Sequence, residues 1–192
     1  MRRIVIVLLA VATVACGGRM KTEGPLASTA TLRGMPGWFR KPPAAEAERL
    51  YQPATATSQD VQVAINRAQA EGRNGLASQL EVKYGSLTRR FVEETGVAAD
   101  AHLLDDYEQT YKAVVSQVLI GSHAKEQQVQ VDGGVYRAWV LMELPTGEAS
   151  RRLIEQIKAR ERLYTTIRAT EAFKELNAEV EQLEAARAAR RP

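Results

Sequence analysis

KEQQVQVDGGVYRAWVLMEL, Lys125 to Leu144, decides the fold. Two β-rich runs flank Asp132-Gly133-Gly134, and glycine accepts the positive φ that a tight hairpin turn demands. In the second run Tyr136, Ala138, Val140, Met142 and Leu144 share one face, which reads as core. Val135, Arg137, Trp139, Leu141 and Glu143 share the other. That face is half apolar, so Trp139 and Leu141 are candidate partner contacts, with packing inside the chain's own domain as the alternative. A lone hairpin is not stable in water. Its third strand is expected at Arg49 to Thr57 (RLYQPATAT), where Pro53 requires a sheet edge or a bulge.

Working outward, helical spacing surrounds the hairpin. Val61, Ala64, Ile65, Ala68, Leu76 and Leu80 recur on one side of a helix opened by Ser58 or Gln59, with Asp60 in its first turn. Gly72 and Gly75 each cost about 1 kcal/mol relative to alanine in a helix, so they mark a kink or a close approach to the sheet. Residues 84–96 fit a short strand or a helix ending at Gly96. From Ala101 to Leu119 the helical period returns through Leu104, Tyr107, Tyr111, Val114 or Val115, and Val118. Pro145-Thr146-Gly147 stops the last strand. Beyond it, Leu153, Ile157, Tyr164 and Ile167 form one stripe, and Ala169, Phe173, Leu176, Val180 and Leu183 form a second, out of phase across Thr165–Thr170. The second stripe fits a partner helix or a fold-back onto the same domain equally. Phe173, Leu176, Val180 and Leu183 therefore join the candidate contacts.

The expected architecture is α+β: a small antiparallel sheet in β-α-α-β-β-α order packed with helices, plus a long C-terminal helix. The 192 residues suit one ordinary domain with appendages. We divide them into a leader (1–15), a tether (16–47), the α+β domain (48–168) and a C-terminal helical extension (169–192). The tether follows from Pro25, Pro36, Pro42 and Pro43, which deny it regular structure. About 30 residues of that kind reach at most about 100 Å. Within it, Trp38 and Phe39 mark the start of the folded part or, alternatively, a partner contact.

The N-terminus carries an address. Arg2 and Arg3 precede an apolar run, Ile4 to Val14, which is too short to cross a bilayer needing about 20 apolar residues. It has the length of a secretory leader. Thr13-Val14-Ala15-Cys16 resembles the bacterial lipobox, with Thr13 where leucine is usual, and Cys16 is the chain's one cysteine. The resemblance implies diacylglyceryl transfer to the thiol, cleavage before Cys16 and acylation of the new amine. Each buried methylene contributes about 0.8 kcal/mol, so several chains anchor firmly. Gly17 rather than aspartate after Cys16 points, by analogy with enteric sorting, to the outer membrane. Loss of Arg2 and Arg3 with the leader lowers the net charge from +3 to +1. Charges of both signs are interspersed, which is no nucleic-acid footprint.

Motifs for catalysis are missing. His102 and His123 stand 21 residues apart. Asp105 and Asp106 follow His102 at i+3 and i+4, but two ligand types at one helix end do not complete a metal site. Glu93-Glu94 and Asp105-Asp106 are adjacent acids whose side chains diverge by about 100° on a helix, and they read as solvated faces. There is no Gly-x-Ser-x-Gly elbow, phosphate-binding glycine loop or His-Glu-x-x-His. No enzyme, cofactor or metal is expected.

Three stretches together carry a likeness: Pro36-Gly37-Trp38, SQDVQVAINRAQAEGRNGLASQLEV from Ser58 to Val82, and VSQVLIGSHAKEQQVQVDGGVYRAWVLMEL from Val115 to Leu144. They resemble the Lpp-twenty family of bacterial lipoproteins over about half of the chain. The resemblance implies a small α+β module in the cell envelope with no catalytic residue. The expectation is a lipid-anchored, periplasm-facing binding or assembly protein of the outer membrane. Its partners would be the membrane, a second copy or an envelope protein. The alternative is a regulator of a peptidoglycan synthase, or a flagellar-envelope component.

Overall fold

Gly133 and Gly134 sit at φ 60° and 89°, so the hairpin closes through a two-residue turn with both residues left-handed. The computed structural model describes residues 34–46, 48–96 and 100–189. The hairpin strands are β2 (His123–Asp132) and β3 (Val135–Pro145). Arg137 Nε donates to Asp132 Oδ2 at 2.9 Å across the turn. Strand β1 (Arg49–Ser58) pairs antiparallel with the free side of β3, from Ser58 opposite Tyr136 to Leu50 opposite Leu144. The order is β1-β3-β2. Pro53 thus lies on an edge strand, where its missing N–H costs least. The only bulge in these pairings falls elsewhere, between Ala124 and Glu126.

One face of the sheet carries Ala138, Val140, Met142 and Leu144, all fully buried, with Ala54 beside them. Helix α2 (Val61–Thr95) covers that face; before it stands a single-turn helix, α1 (Gly37–Arg40). Asp60 is the N-cap of α2 rather than part of its first turn, its carboxylate accepting from the Val63 N–H at 2.9 Å. The 35 residues run unbroken through Gly72 and Gly75 to Gly96, whose φ of 68° ends the helix. At about 1.5 Å per residue the rod is about 52 Å long. Residues 84–96, open between strand and helix in the sequence, are its last turns.

The buried side of α2 reads Ala64, Ala68, Gly72, Leu76, Leu80, Tyr84 and Phe91. Steps of four residues advance about 40° around a helix, so this row winds about the rod. Its small first half lies on the sheet. Its large second half faces α3 (Ala101–Leu119), capped by Asp100. On α3 the buried set is Leu103, Tyr107, Thr110, Tyr111, Val114, Val115 and Val118. Leu103, rather than Leu104, occupies the core position, while Leu104 is half-buried.

Three helices follow the sheet: α4 (Gly147–Lys158), α5 (Glu161–Ile167) and α6 (Glu171–Ala189). The break expected at Thr165–Thr170 is the α5–α6 junction. The segment expected as an extension, 169–192, folds back through α6 onto α4 and α2. Both Glu94 carboxylate oxygens receive backbone N–H groups at the start of α6, from Glu171 and from Ala172. Lys83 pairs with Glu179 and Arg90 with Glu175, each at 2.7 Å. Residues 34–46, expected as tether, are likewise structured in part: α1 packs against β3 on the face that α2 leaves free. Cys16, the leader and most of the tether lie outside the described residues. No described helix is long and apolar enough to cross a membrane.

Candidate binding surface

The sheet's second face is where the sequence gathers its exposed-looking aromatics. Trp139 and Leu141 point there, yet each is only 1% exposed. They are core residues of this face rather than open contacts, because the face is covered. Pro36, just before α1, is buried, and Trp38 and Phe39 are half-buried, their rings meeting edge-on at 6.2 Å. The Gln128 amide on β2 donates to the Gly34 carbonyl at 2.9 Å. Trp38 and Phe39 therefore begin the folded part and remain half-buried.

Further along the same face sits an ion cluster that the sequence did not reveal. Glu143, 9% exposed, faces Lys125 Nζ at 3.2 Å and Arg49 Nε at 3.7 Å. Lys125 lies 4.6 Å from the Tyr51 ring centre and donates to its hydroxyl at 3.4 Å, and that hydroxyl donates to Glu46 at 3.2 Å. Hydrogen bonds to Glu143 and then Tyr51 raise the Lys125 pKa above the usual lysine value. A carboxylate on a core strand needs such partners. The signal available in the sequence was Glu143 itself, on the Trp139 face; its partners come from 94 and 18 residues away.

The C-terminal contact set is buried by the chain itself. Phe173 is 5%, Leu176 3%, Val180 7% and Leu183 8% exposed, packed within α6's own domain. From Phe173 to Leu183 the stripe is the fold-back surface, while Ala169 lies exposed in the turn before α6. Exposed apolar groups occur elsewhere: Ile120, just after α3, is 86% exposed. It borders an open cleft of about 470 Å³ with Val118, Leu144 and Pro145, rimmed by Glu148 and Arg152.

Titratable groups are spread out. His102 and His123 are exposed, and Asp100 pairs with Arg162. Among the described residues no three His, Cys, Asp or Glu side chains gather as metal ligands. Glu94 is no solvated acid, since it caps α6. The strongest environmental effects fall on two interior phenols. Tyr107 donates to the Tyr84 carbonyl at 3.1 Å, and Tyr84 and Ser150 share a hydrogen bond at 3.3 Å. Burial pushes the Tyr84 hydroxyl up to about 12, against the opposing Ser150 bond, and burial raises Tyr107 further.

Both folded-state values exceed the ordinary tyrosine value, so the neutral phenol is favoured in the fold. The resulting stability is complete below pH about 10 and is lost as pH rises toward 12, by about 3 kcal/mol for Tyr84 at 1.36 kcal/mol per unit. We expect circular dichroism and phenolate absorbance to change together in that window. Tyr84→Phe should move the transition to higher pH; an unmoved transition would remove Tyr84 as its cause.

Compared with known protein families, with curated proteins and with solved structures, the chain matches none.

Proposed function

We propose that this chain is a lipid-anchored bacterial cell-envelope protein, held at the outer membrane and facing the periplasm, that works as a non-enzymatic binding or assembly module. The observation that carries the reading is the run Arg2-Arg3, Ile4 to Val14 and Ala15-Cys16, with the chain's single cysteine at its end. A near-neutral charge after loss of the leader accords with it.

The docking of residues 34–46 sharpens one consequence. The chain between Cys16 and Gly34 spans at most about 60 Å when fully extended, not the 100 Å that a longer tether would reach. A partner must come within that radius of the bilayer, plus the length of the domain. A regulator of a peptidoglycan synthase fits this reading only if the enzyme approaches to that distance.

The test is Cys16→Ser with membrane fractionation and intact-mass analysis. The wild type is expected in the membrane fraction, cleaved before Cys16 and heavier by its acyl groups. The variant is expected to keep its leader and lose all acyl mass. A wild-type chain with a free thiol and intact leader overturns the proposal.

A further inference from the structure

A cleft of about 270 Å³ lies where α4, α5 and α6 meet. Between Lys158 and Lys174 the sequence has five basic residues and two acidic ones. Two of the five are not among the residues lining the cleft: Arg160 bonds the Gln156 carbonyl, and Arg162 pairs with Asp100. The other three, Lys158, Arg168 and Lys174, line the cleft. They come from the end of α4, the C-cap of α5 and the first turn of α6, so only the fold assembles them.

Their existing partners are weak or exposed. Lys158 reaches the Asn177 amide oxygen at 3.4 Å, and Lys174 pairs with exposed Glu171 at 2.6 Å. The Arg168 side chain makes no ion pair or hydrogen bond among the described residues. One lining carboxylate, Glu181, accepts the Asn177 amide at 2.5 Å. Tyr164 and Phe173 supply an aromatic wall, ring centres 5.9 Å apart. Lys158, Arg168 and Lys174 line one cleft with a single carboxylate, Glu181, and an aromatic wall beside them, which raises the positive potential there. An arginine fork with two mobile ammonium groups is a donor set that suits tetrahedral oxyanions.

We infer that this cleft binds a phosphate group, with the Tyr164 ring against the organic part that bears it. The phosphate belongs to a soluble ester or to a lipid headgroup. The inference is independent of the anchor, because it rests on α4 to α6 alone.

Titration calorimetry of the full chain with glycerol 3-phosphate, and separately with monomeric short-chain phosphatidylglycerol, tests it. Saturable binding is expected, about tenfold weaker in Arg168→Ala and in Lys174→Ala, and unchanged in Arg67→Ala, which removes an exposed charge on α2. Equal affinity for the two probes identifies a soluble ester as the ligand, and tighter binding of the lipid identifies a headgroup. The inference fails if neither probe binds saturably. It fails equally if Arg67→Ala weakens binding as much as the cleft variants, since that is non-specific charge attraction.

Discussion

A chain stopped after Arg168, lacking α6, is expected to lose cooperative folding. Phe173, Leu176, Val180 and Leu183 are at most 8% exposed. Fully burying a side chain of this size contributes about 1.5–3 kcal/mol. Four of them sum to on the order of 8 kcal/mol, comparable to the whole net stability of an ordinary domain, about 5–15 kcal/mol. The Lys83–Glu179 and Arg90–Glu175 pairs stand in solvent and contribute little beside this, so apolar burial decides the outcome. Removing α6 also frees the Glu94 carboxylate and takes Leu183 and Arg187 from beside Gly147 at the start of α4. Thermal melting by circular dichroism is the measurement. Leu176→Ala, expected to cost about 2–5 kcal/mol, gives a graded version in a chain that still folds. A truncated chain that melts as sharply and as high as the full one would make α6 an appendage and restore its stripe to a partner.

That stripe shows what a sequence can and cannot carry. Spacing of four and three residues says which side of α6 is buried, but the same spacing serves a second chain or the same domain. The choice is made by residues remote in sequence, such as Glu94 capping α6 and Lys83 meeting Glu179. The hairpin was legible for the opposite reason. Its turn chemistry and its alternation lie within twenty consecutive residues, and the need for a third strand pointed to β1, while the choice of β3 as its partner came only with the fold. Helix α2 was harder, because its buried row winds around the rod and no single face stays apolar for its full length. The second sheet face was half legible: its Trp139 and Leu141 are apolar enough to call for burial, but nothing near them in sequence says that the segment with Pro36 and the single-turn helix α1 packs on that strand. The cleft cations were invisible, being drawn from three helices.

Replacing Gly72 with valine is expected to destabilise the domain by about 3 kcal/mol, although it removes a glycine from a helix. The helix term favours the substitution: alanine gains about 1 kcal/mol over glycine, and valine somewhat less. Packing opposes it. A Cβ at Gly72 would lie 2.4 Å from Met142 Cγ, 3.3 Å from Met142 Cβ and 3.5 Å from Ala54 Cβ. Met142 is fully buried and Ala54 is a strand residue held in register, so neither can withdraw without moving the sheet from the rod. Overpacking of this kind costs about 1–3 kcal/mol for added methylenes, and valine adds two methyl groups beyond Cβ. Two other glycines of α2 separate the terms. At Gly75 the obstacle is the half-buried Gln52 side chain, 2.5 Å away, which can swing aside, so Gly75→Ala should be nearly neutral. At Gly85 the nearest atom is the Tyr111 hydroxyl at 3.8 Å, an ordinary contact. There the helix term acts alone, and Gly85→Ala should raise stability by about 0.5–1 kcal/mol. Urea unfolding of the three variants tests the ranking Gly85→Ala, Gly75→Ala, Gly72→Val from most to least stable. If Gly72→Val unfolds at the same urea concentration as Gly85→Ala, the rod does not rest on the sheet at that residue.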